Sequence, residues 1–436
     1  MFENVREIIL KVTRDCNLRC KYCYVRDKER FRGERMSFPV FKQIIERYIT
    51  DREKSLSGKQ QELRLIFHGG EPTLLDIKEF VRFLNYAKRR IPYIRFGMQT
   101  NLTNISAELA IILQQYEISP GISIDGWGPR LNRLRLGKKS AGLAKNVRLL
   151  NQYRVNCGTL MVLTKENIRR AKHNIDNILK NFPAQKTIKA NYVENIYTPE
   201  PAYPEVTAEE LFKNLFLPLL KDFLKKGRLA EANLWSILTR FFQTALFGAS
   251  NDPDKDQVLG HCNVKFCAGG NKIAETDAEG TVCFCGRWDD THEICRLGSV
   301  RDADLWGLNS YYKSFVLQKT KAAYVRRLHC DACPAGTICD YGCLAFAYAK
   351  YRRLRIREDL VCAYYLKIAA YLQKNAAVLL QVYARSQNWT LQKEKEFFLL
   401  QLPPGYPEFN SDTIAAFPGW SVPDTAEQNL LKVKLC

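Results

Sequence analysis

EIILKVTRDCNLRCKYCY, residues Glu7 to Tyr24, is the stretch on which the reading of the chain turns. Ile8 to Val12 is an apolar run of strand length. Three cysteines follow at once, Cys16, Cys20 and Cys23, spaced CxxxCxxC on what is expected to be a loop at the strand's C-terminal end. In barrel-type folds active sites sit at that end. Three thiolates can ligate three irons of a [4Fe-4S] cluster and leave the fourth iron open, whereas a cluster that only carries electrons is normally closed by four cysteines. A zinc knuckle is the competing reading, but zinc sites are four-coordinate with paired CxxC spacings, and no fourth ligand lies near this triplet. An open iron implies chemistry.

Outward from this stretch, short apolar runs alternate with helical patterns as far as about Glu194, the signature of βα units and a parallel sheet. The strand candidates are Ile8 to Val12, Leu63 to Phe67, Ile94 to Gln99, Gly121 to Ile124, Gly158 to Leu163 and Lys189 to Val193. Pro39 to Thr50, Ile77 to Arg90 and Ala141 to Tyr153 carry apolar residues at helical spacing between them. The expected fold class is α/β, a partial (β/α)6 barrel over residues 1–200. A proline-rich break at Asn195 to Pro204 ends it, and a helical connector over 201–255 follows. Residues 256–365 are rich in cysteine and glycine with little periodicity, as expected of a region held by metal rather than by a large core. An amphipathic helix and a tail make up 366–436.

The 436 residues include 46% apolar and 26% charged side chains, ordinary for a globular protein, and no run is long and apolar enough to span a membrane. Met1 to Val12 lacks the apolar core and cleavage site of a secretory signal, so the chain is expected in the cytosol. Fifteen cysteines there read as metal ligands rather than as a disulfide framework. The net charge of +20 favours acidic partners. Basic residues are nevertheless spread along the chain, as in Lys88-Arg89-Arg90 and Arg352-Arg353, and no nucleic-acid motif accompanies them, so nucleic acid is not an expected partner.

The triplet, its place after the first strand and Tyr22 before the third cysteine together resemble the radical S-adenosylmethionine (SAM) superfamily. The resemblance implies that the open iron binds the amine and carboxylate of SAM and that the reduced cluster cleaves it to a 5′-deoxyadenosyl radical. Other strand ends agree. Gly69-Gly70-Glu71-Pro72 after the second strand looks like the family's GGEP segment, which holds the methionine ammonium. Gln99 and Asn101 end the third strand, and Ser123 and Asp125 end the fourth, similar to the family's ribose-contacting residues. Arg135 stands where related enzymes carry an arginine for the cofactor carboxylate, and a guanidinium fork suits that task. A turn and a surface arginine are the plain readings of GGEP and Arg135; Thr164 and Asn167 read equally well as helix caps.

Downstream, Cys267, Gly280, Cys285, Cys330, Cys333, Cys339, Cys343 and Cys362 follow the spacing Cx12Gx4C, gap, Cx2Cx5Cx3C, gap, C. This resembles the SPASM domain, which binds two auxiliary [4Fe-4S] clusters in peptide- and protein-modifying radical SAM enzymes. The resemblance implies that Cys262, Cys267, Cys285 and Cys343 hold the nearer cluster and Cys330, Cys333, Cys339 and Cys362 the outer one, with Cys283 competing for the place of Cys262. The expected cofactors are therefore three [4Fe-4S] clusters and SAM. Cys157, Cys295 and Cys436 match no motif.

The family reading implies a precursor peptide or protein substrate, oxidative crosslinking of a ribosomally made peptide, and an acidic flavodoxin- or ferredoxin-type reductant. Only 15 residues precede Cys16, so leader capture is expected to use another surface or a separate leader-recognition protein. Anaerobic sulfatase-maturating enzymes are the near alternative. In those, a catalytic aspartate follows the cysteine that Cys285 matches; this chain has Gly286, with Asp289 and Asp290 close by. An iron-sulfur electron carrier and an RNA-binding protein are the alternatives outside that class, and no catalytic base is assigned.

Overall fold

The computed structural model describes residues 5–23, 31–53, 62–128, 130–136, 142–185, 187–193, 203–247, 269–270, 272–287, 296–302, 330–339, 342–345, 348 and 359–386. Cys262, Cys267, Cys295, Cys436, Asp289, Asp290 and all of the tail beyond 386 lie outside the described residues.

The first half is built of βα units. β1 (Glu7–Thr13) leads to α1 (Phe38–Glu53), β2 (Leu63–Gly69) to α2 (Ile77–Arg90), β3 (Ile94–Thr100) to α3 (Ala107–Gln115), and β4 (Ser119–Ser123) to the short α4 (Arg133–Leu136) and to α5 (Leu143–Gln152). β5 (Gly158–Leu163), α6 (Ala171–Asn181) and β6 (Lys189–Tyr192) complete it, and all six strands pair in parallel in sequence order.

Alternation decides which side each strand buries. Ile8, Leu10 and Val12 of β1 and Leu63, Leu65 and Phe67 of β2 are buried against the helices. α2 starts because the Asp76 side chain accepts from the Lys78 and Glu79 amides at 2.9 and 3.2 Å, and it ends in Lys88, Arg89 and Arg90, which oppose the helix dipole. Its inner face carries Phe83, stacked on Phe41 of α1 at 4.2 Å, and Phe80, edge-on to Phe67 at 4.8 Å.

Beyond β6 the connector is helical, as expected: α7 (Ala208–Leu211), a π turn over Phe212–Phe216, α8 (Leu217–Lys226) and α9 (Ala232–Phe247). Glu231 caps α9 through the Leu234 amide at 2.7 Å and also accepts from Ala190 of β6 at 2.8 Å. Its burial pushes the carboxyl up to about 7.

The cysteine-rich region then differs from its sequence reading. β7 (Ile273–Thr276) joins the far edge of β1 in parallel, with Glu7 opposite Ile273 and Leu10 opposite Thr276. β8 (Thr281–Cys283) and β9 (Arg296–Ser299) continue antiparallel, so one nine-stranded sheet runs β6-β5-β4-β3-β2-β1-β7-β8-β9. Strands of three or four residues are too short for periodicity to register, and β7 is buried along its whole length, Glu275 included, so no alternation shows.

α10 (Asp359–Lys374) carries Cys362 and runs through the boundary expected between residues 365 and 366; α11 (Ala376–Ser386) follows. Tyr371 of α10 packs edge-on against Phe212 and Phe216 of the π turn, at 5.9 and 5.8 Å. Among the described residues no helix is long and apolar enough to cross a membrane.

Candidate active site at the strand ends

The loop leaving β1 is held from both sides. On one side the Arg14 guanidinium and amide grip Glu34, with contacts of 2.6 to 3.2 Å, and Arg35 reaches Asp15 at 3.2 Å. On the other side the GGEP segment presses directly on its backbone. The Gly70 amide donates to Thr13 O at 2.7 Å and the Glu71 amide to Asp15 O at 2.9 Å. A Cβ on Gly70 would stand 2.0 Å from Asp15 O, and one on Gly69, whose φ is +126°, 1.9 Å from Thr13 O. The two glycines are thus required by backbone packing beneath the cysteine loop.

Glu71 is fully buried and ties its own turn to the end of β3. Its Oε1 accepts from the Thr73 amide and hydroxyl and from the Thr100 hydroxyl, and its Oε2 from the Asn101 amide at 2.7 Å. Burial raises its pKa, and these donors oppose the shift. Asn101 carries the connection to the cysteines: its Nδ2 donates to Asn17 Oδ1 at 2.8 Å and lies 3.8 Å from Cys16 Sγ.

Cys16 is buried, Cys20 and Cys23 are half-buried, and none of the three is joined in a disulfide. The Leu18 amide points at Cys16 Sγ from 3.4 Å, Cys20 Sγ contacts Arg135 O at 3.6 Å, and the Lys21 amide donates to Leu134 O at 3.0 Å. Among the described residues no three His, Cys, Asp or Glu side chains converge as a single metal ion needs. A four-iron cluster binds each thiolate to a different iron, so the three thiols need not meet at one point.

Across from the triplet, Tyr22 donates its hydroxyl to Asp125, Arg135 Nη1 lies 3.4 Å from the same oxygen, and the Val162 amide donates to Asp125 Oδ1 at 3.1 Å. Burial, with the Asp125 charge, pushes the Tyr22 phenol well above its usual value. Burial opposes charge on Arg135 as well, but Tyr22 and Asp125 outweigh it and keep the guanidinium protonated. Arg135 Nε is buried with no hydrogen-bond partner among the described residues. An anionic carboxylate is the group such a fork suits.

Gln99 spans to Ser123, Nε2 to Oγ 2.7 Å, and passes over Gly121, where a Cβ would stand 2.3 Å from its Oε1. Asn167 is a strut rather than a cap: it makes no side-chain cap bond and instead donates to Val162 O and Asp125 O, tying β5 to β4.

Of the second constellation, Cys285, Cys330, Cys333, Cys339, Cys343 and Cys362 are half-buried and Cys283 is buried on β8, none of them in a disulfide. The Cys330–Ala332 turn is closed by the Cys333 amide on Cys330 O at 3.2 Å.

Sequence reasoning missed an ion pair inside the barrel. Lys11 Nζ of β1 meets Glu275 Oε1 of β7 at 2.7 Å, both side chains at most 6% exposed. Beside it, burial and the Lys11 charge push His68 down to about 4, and its Nδ1 accepts from the Gly69 amide at 2.8 Å. The signal was a lysine in the middle of an apolar strand and a glutamate in IAET. A Cβ on Gly286 would lie 3.3 Å from Glu275 Oε2 and 3.3 Å from Ile9 Cδ1, so a carboxylate from β7 stands beside the place where a residue-286 side chain would begin.

Residues 10–178 match the model of the radical SAM superfamily, so this part of the chain is a radical SAM domain. Within it, the chain is 27% identical over 328 residues to a cysteine-type anaerobic sulfatase-maturating enzyme of Clostridium novyi, covering 72% of this chain and 77% of the relative. Its fold is shared by native anSMEcpe with bound AdoMet and Cp18Cys peptide, with TM-score 0.67, 20% identity and coverage of 87% of this chain and 99% of that one. Streptococcus suis SuiB bound to precursor peptide SuiA also shares it, with TM-score 0.56, 16% identity and coverage of 82% and 76%.

Proposed function

We propose that the protein is a radical SAM maturase that oxidises a side chain of a peptide or protein substrate. The observation that carries this reading is the meeting, at one end of the sheet, of three cysteine thiols with the half-buried Arg135, whose buried Nε has no hydrogen-bond partner among the described residues. Cys16, Cys20 and Cys23 would hold a [4Fe-4S] cluster and Arg135 the carboxylate of SAM. Gly69 to Pro72 are assigned to the SAM ammonium, toward which Glu71 Oε2 retains lone-pair capacity beyond its bond from Asn101. Gln99, Asn101, Ser123, Asp125 and Tyr22 are assigned to the adenosine side. When bound, cluster and cofactor together supply a 5′-deoxyadenosyl radical able to remove a hydrogen atom from carbon. The chain's own share is to orient: Glu71 locks the β2 and β3 ends together, and Asp125 holds Tyr22 against Arg135.

The first product we assign is an oxidative crosslink, carbon to carbon or to a heteroatom, in a ribosomally made peptide. Gly286 supports it, because no side chain there offers a base, and so does the shared fold of SuiB, which is known with a precursor peptide. Formylglycine formation is the second reading, supported by the Clostridium novyi relative and by the Glu275 carboxylate beside Gly286. Under either reading the downstream cysteines, with Cys262 or Cys283 as the eighth ligand, would hold two auxiliary clusters that take up an electron. An acidic flavodoxin- or ferredoxin-type carrier would supply the reducing electron, a separate protein would recognise the leader, and the cytosol is the compartment in which these thiols stay reduced.

Mass spectrometry on peptides incubated with reconstituted enzyme, SAM and reductant tests the reading. A crosslink removes two hydrogens and leaves a fragment-resistant ring, whereas a cysteine converted to formylglycine also loses its sulfur. Peptides recovered unchanged although SAM is consumed would count against both.

A further inference from the structure

Tyr22, Leu134 and Val193 are buried together in a small apolar cluster apart from the main core, and Cys20, Val162 and Tyr203 pack against it while partly exposed. The cluster gathers the cysteine loop, α4, the ends of β5 and β6, and the connector before α7. Val162 turns away from the helices that bury its neighbours Met161 and Leu163, and its amide donates to Asp125 Oδ1 at 3.1 Å. Leu134 directly precedes Arg135, whose Nε has no hydrogen-bond partner among the described residues. An apolar surface thus begins one residue from the unsatisfied fork.

Tyr203 reaches this surface from the connector, outside the βα units. Its ring meets that of Tyr22 edge to face, with centroids 6.3 Å apart and planes at 73°, so the two rings make a corner rather than a stack. Its hydroxyl donates to Glu166, Thr164 stands at the same oxygen, and the Asp125 charge reaches it. The connector is tied to the same loop a second time: Lys165 Nζ meets Glu210 at 2.5 Å, and Glu210 closes the capping box on Thr207 that starts α7. Two adjacent residues after β5 therefore clamp the segment that carries Tyr203.

We propose that Tyr203 is a cofactor-binding residue: with Tyr22, Val162 and Val193 it forms the wall on which the purine ring of SAM lies, and Glu166 holds its ring in place. The inference rests on the reading of these strand ends as a SAM site. The purine is the occupant the surroundings favour. A ligand with its carboxylate on Arg135 and its ribose hydroxyls toward Ser123 and Asp125 has one part left, a flat apolar ring, and the apolar surface joined to those groups is this corner. Contact of a base with aromatic rings is a strong apolar contact that needs no further polar partner. No bond is made or broken in this role.

The test measures binding by equilibrium dialysis on the full chain, reconstituted under anaerobic conditions and kept without reductant so that SAM is not cleaved. The probes are SAM, 5′-deoxyadenosine and methionine. Tyr203→Ala should bind SAM and 5′-deoxyadenosine about tenfold or more weakly and methionine as the natural chain does. Tyr203→Phe, which keeps the ring and loses only the tie to Glu166, should stay within about threefold of the natural chain for every probe. 5′-Deoxyadenosine bound as tightly by Tyr203→Ala as by the natural chain overturns the proposal and leaves the SAM reading standing. Equal weakening of all three probes also overturns it, because a loosened strand end would act on methionine as well. A natural chain that carries its iron but binds neither SAM nor 5′-deoxyadenosine sinks the SAM reading and the wall together.

Discussion

Gly70→Ala is the perturbation whose consequence can be worked most closely. The added Cβ would stand 2.0 Å from Asp15 O and 2.6 Å from Arg14 O, both backbone atoms that cannot swing aside as a side-chain tip would. Ordinary contact begins at 3.4 Å, so the two loops must separate by more than 1 Å. Two buried hydrogen bonds, Gly70 N to Thr13 O and Glu71 N to Asp15 O, stretch or break with them. At about 1 kcal/mol net for each bond and about 1–3 kcal/mol for overpacking, the cost is about 3–5 kcal/mol. A domain with stability of about 5–15 kcal/mol survives that loss, but the displaced segment is the one that leads into Cys16. The expected outcome is a folded protein with a melting temperature lower by several degrees and a marked loss of iron after reconstitution, read by calorimetry and iron analysis. Gly142→Ala, where nothing lies within 4 Å of the new methyl, is the control and should behave as the natural chain. Full iron and an unshifted transition in Gly70→Ala would refute the packing argument.

Arg135→Lys keeps the charge beside Asp125 but loses the fork and its unpartnered Nε; SAM affinity, measured by equilibrium dialysis on reconstituted protein, should weaken about tenfold or more, and an unchanged constant would remove Arg135 from the site. Gly286→Asp sets a second carboxylate against Glu275 and should lower the melting temperature, while Glu275→Gln in the same chain should restore most of it; simple additivity of the two changes would show that the groups do not meet. Glu231 has its folded pKa raised from 4.5 to about 7, so the folded state holds a proton that the unfolded state has lost, and its contribution is full below pH 4.5 and falls as pH rises through 7, by up to about 3 kcal/mol. Stability of the natural chain should accordingly drop between pH 5 and 7.5 relative to Glu231→Gln, and parallel pH profiles would contradict that.

The barrel half was legible because its strands are bounded by chemistry that sequence displays. Gly158 to Leu163 and Ile77 to Arg90 were bounded correctly, since glycine, an Asp76 cap and a basic last turn mark their ends. β4 began two residues earlier than read, at Ser119, because Pro120 looks like a breaker although it sits at the strand's start. The triplet was legible from spacing alone, but the reason for Gly69 and Gly70 was not: only the three-dimensional approach of the Thr13 and Asp15 carbonyls shows that packing requires them. The junction of β7 with β1 was invisible because it pairs residues more than 260 positions apart through a four-residue strand. With it went the Lys11–Glu275 pair, whose partners gain meaning only when the two strands are adjacent.

The central claim is that Cys16, Cys20 and Cys23 make this chain a generator of the 5′-deoxyadenosyl radical. The measurement that tests it most directly is formation of 5′-deoxyadenosine by the anaerobically reconstituted protein with dithionite and SAM, beside a variant in which all three cysteines are alanine. Product from the natural chain and none from the variant, with the downstream cysteines still loaded with iron, is the predicted result. No product from a natural chain that carries its full iron, or equal product from the variant, would contradict the account.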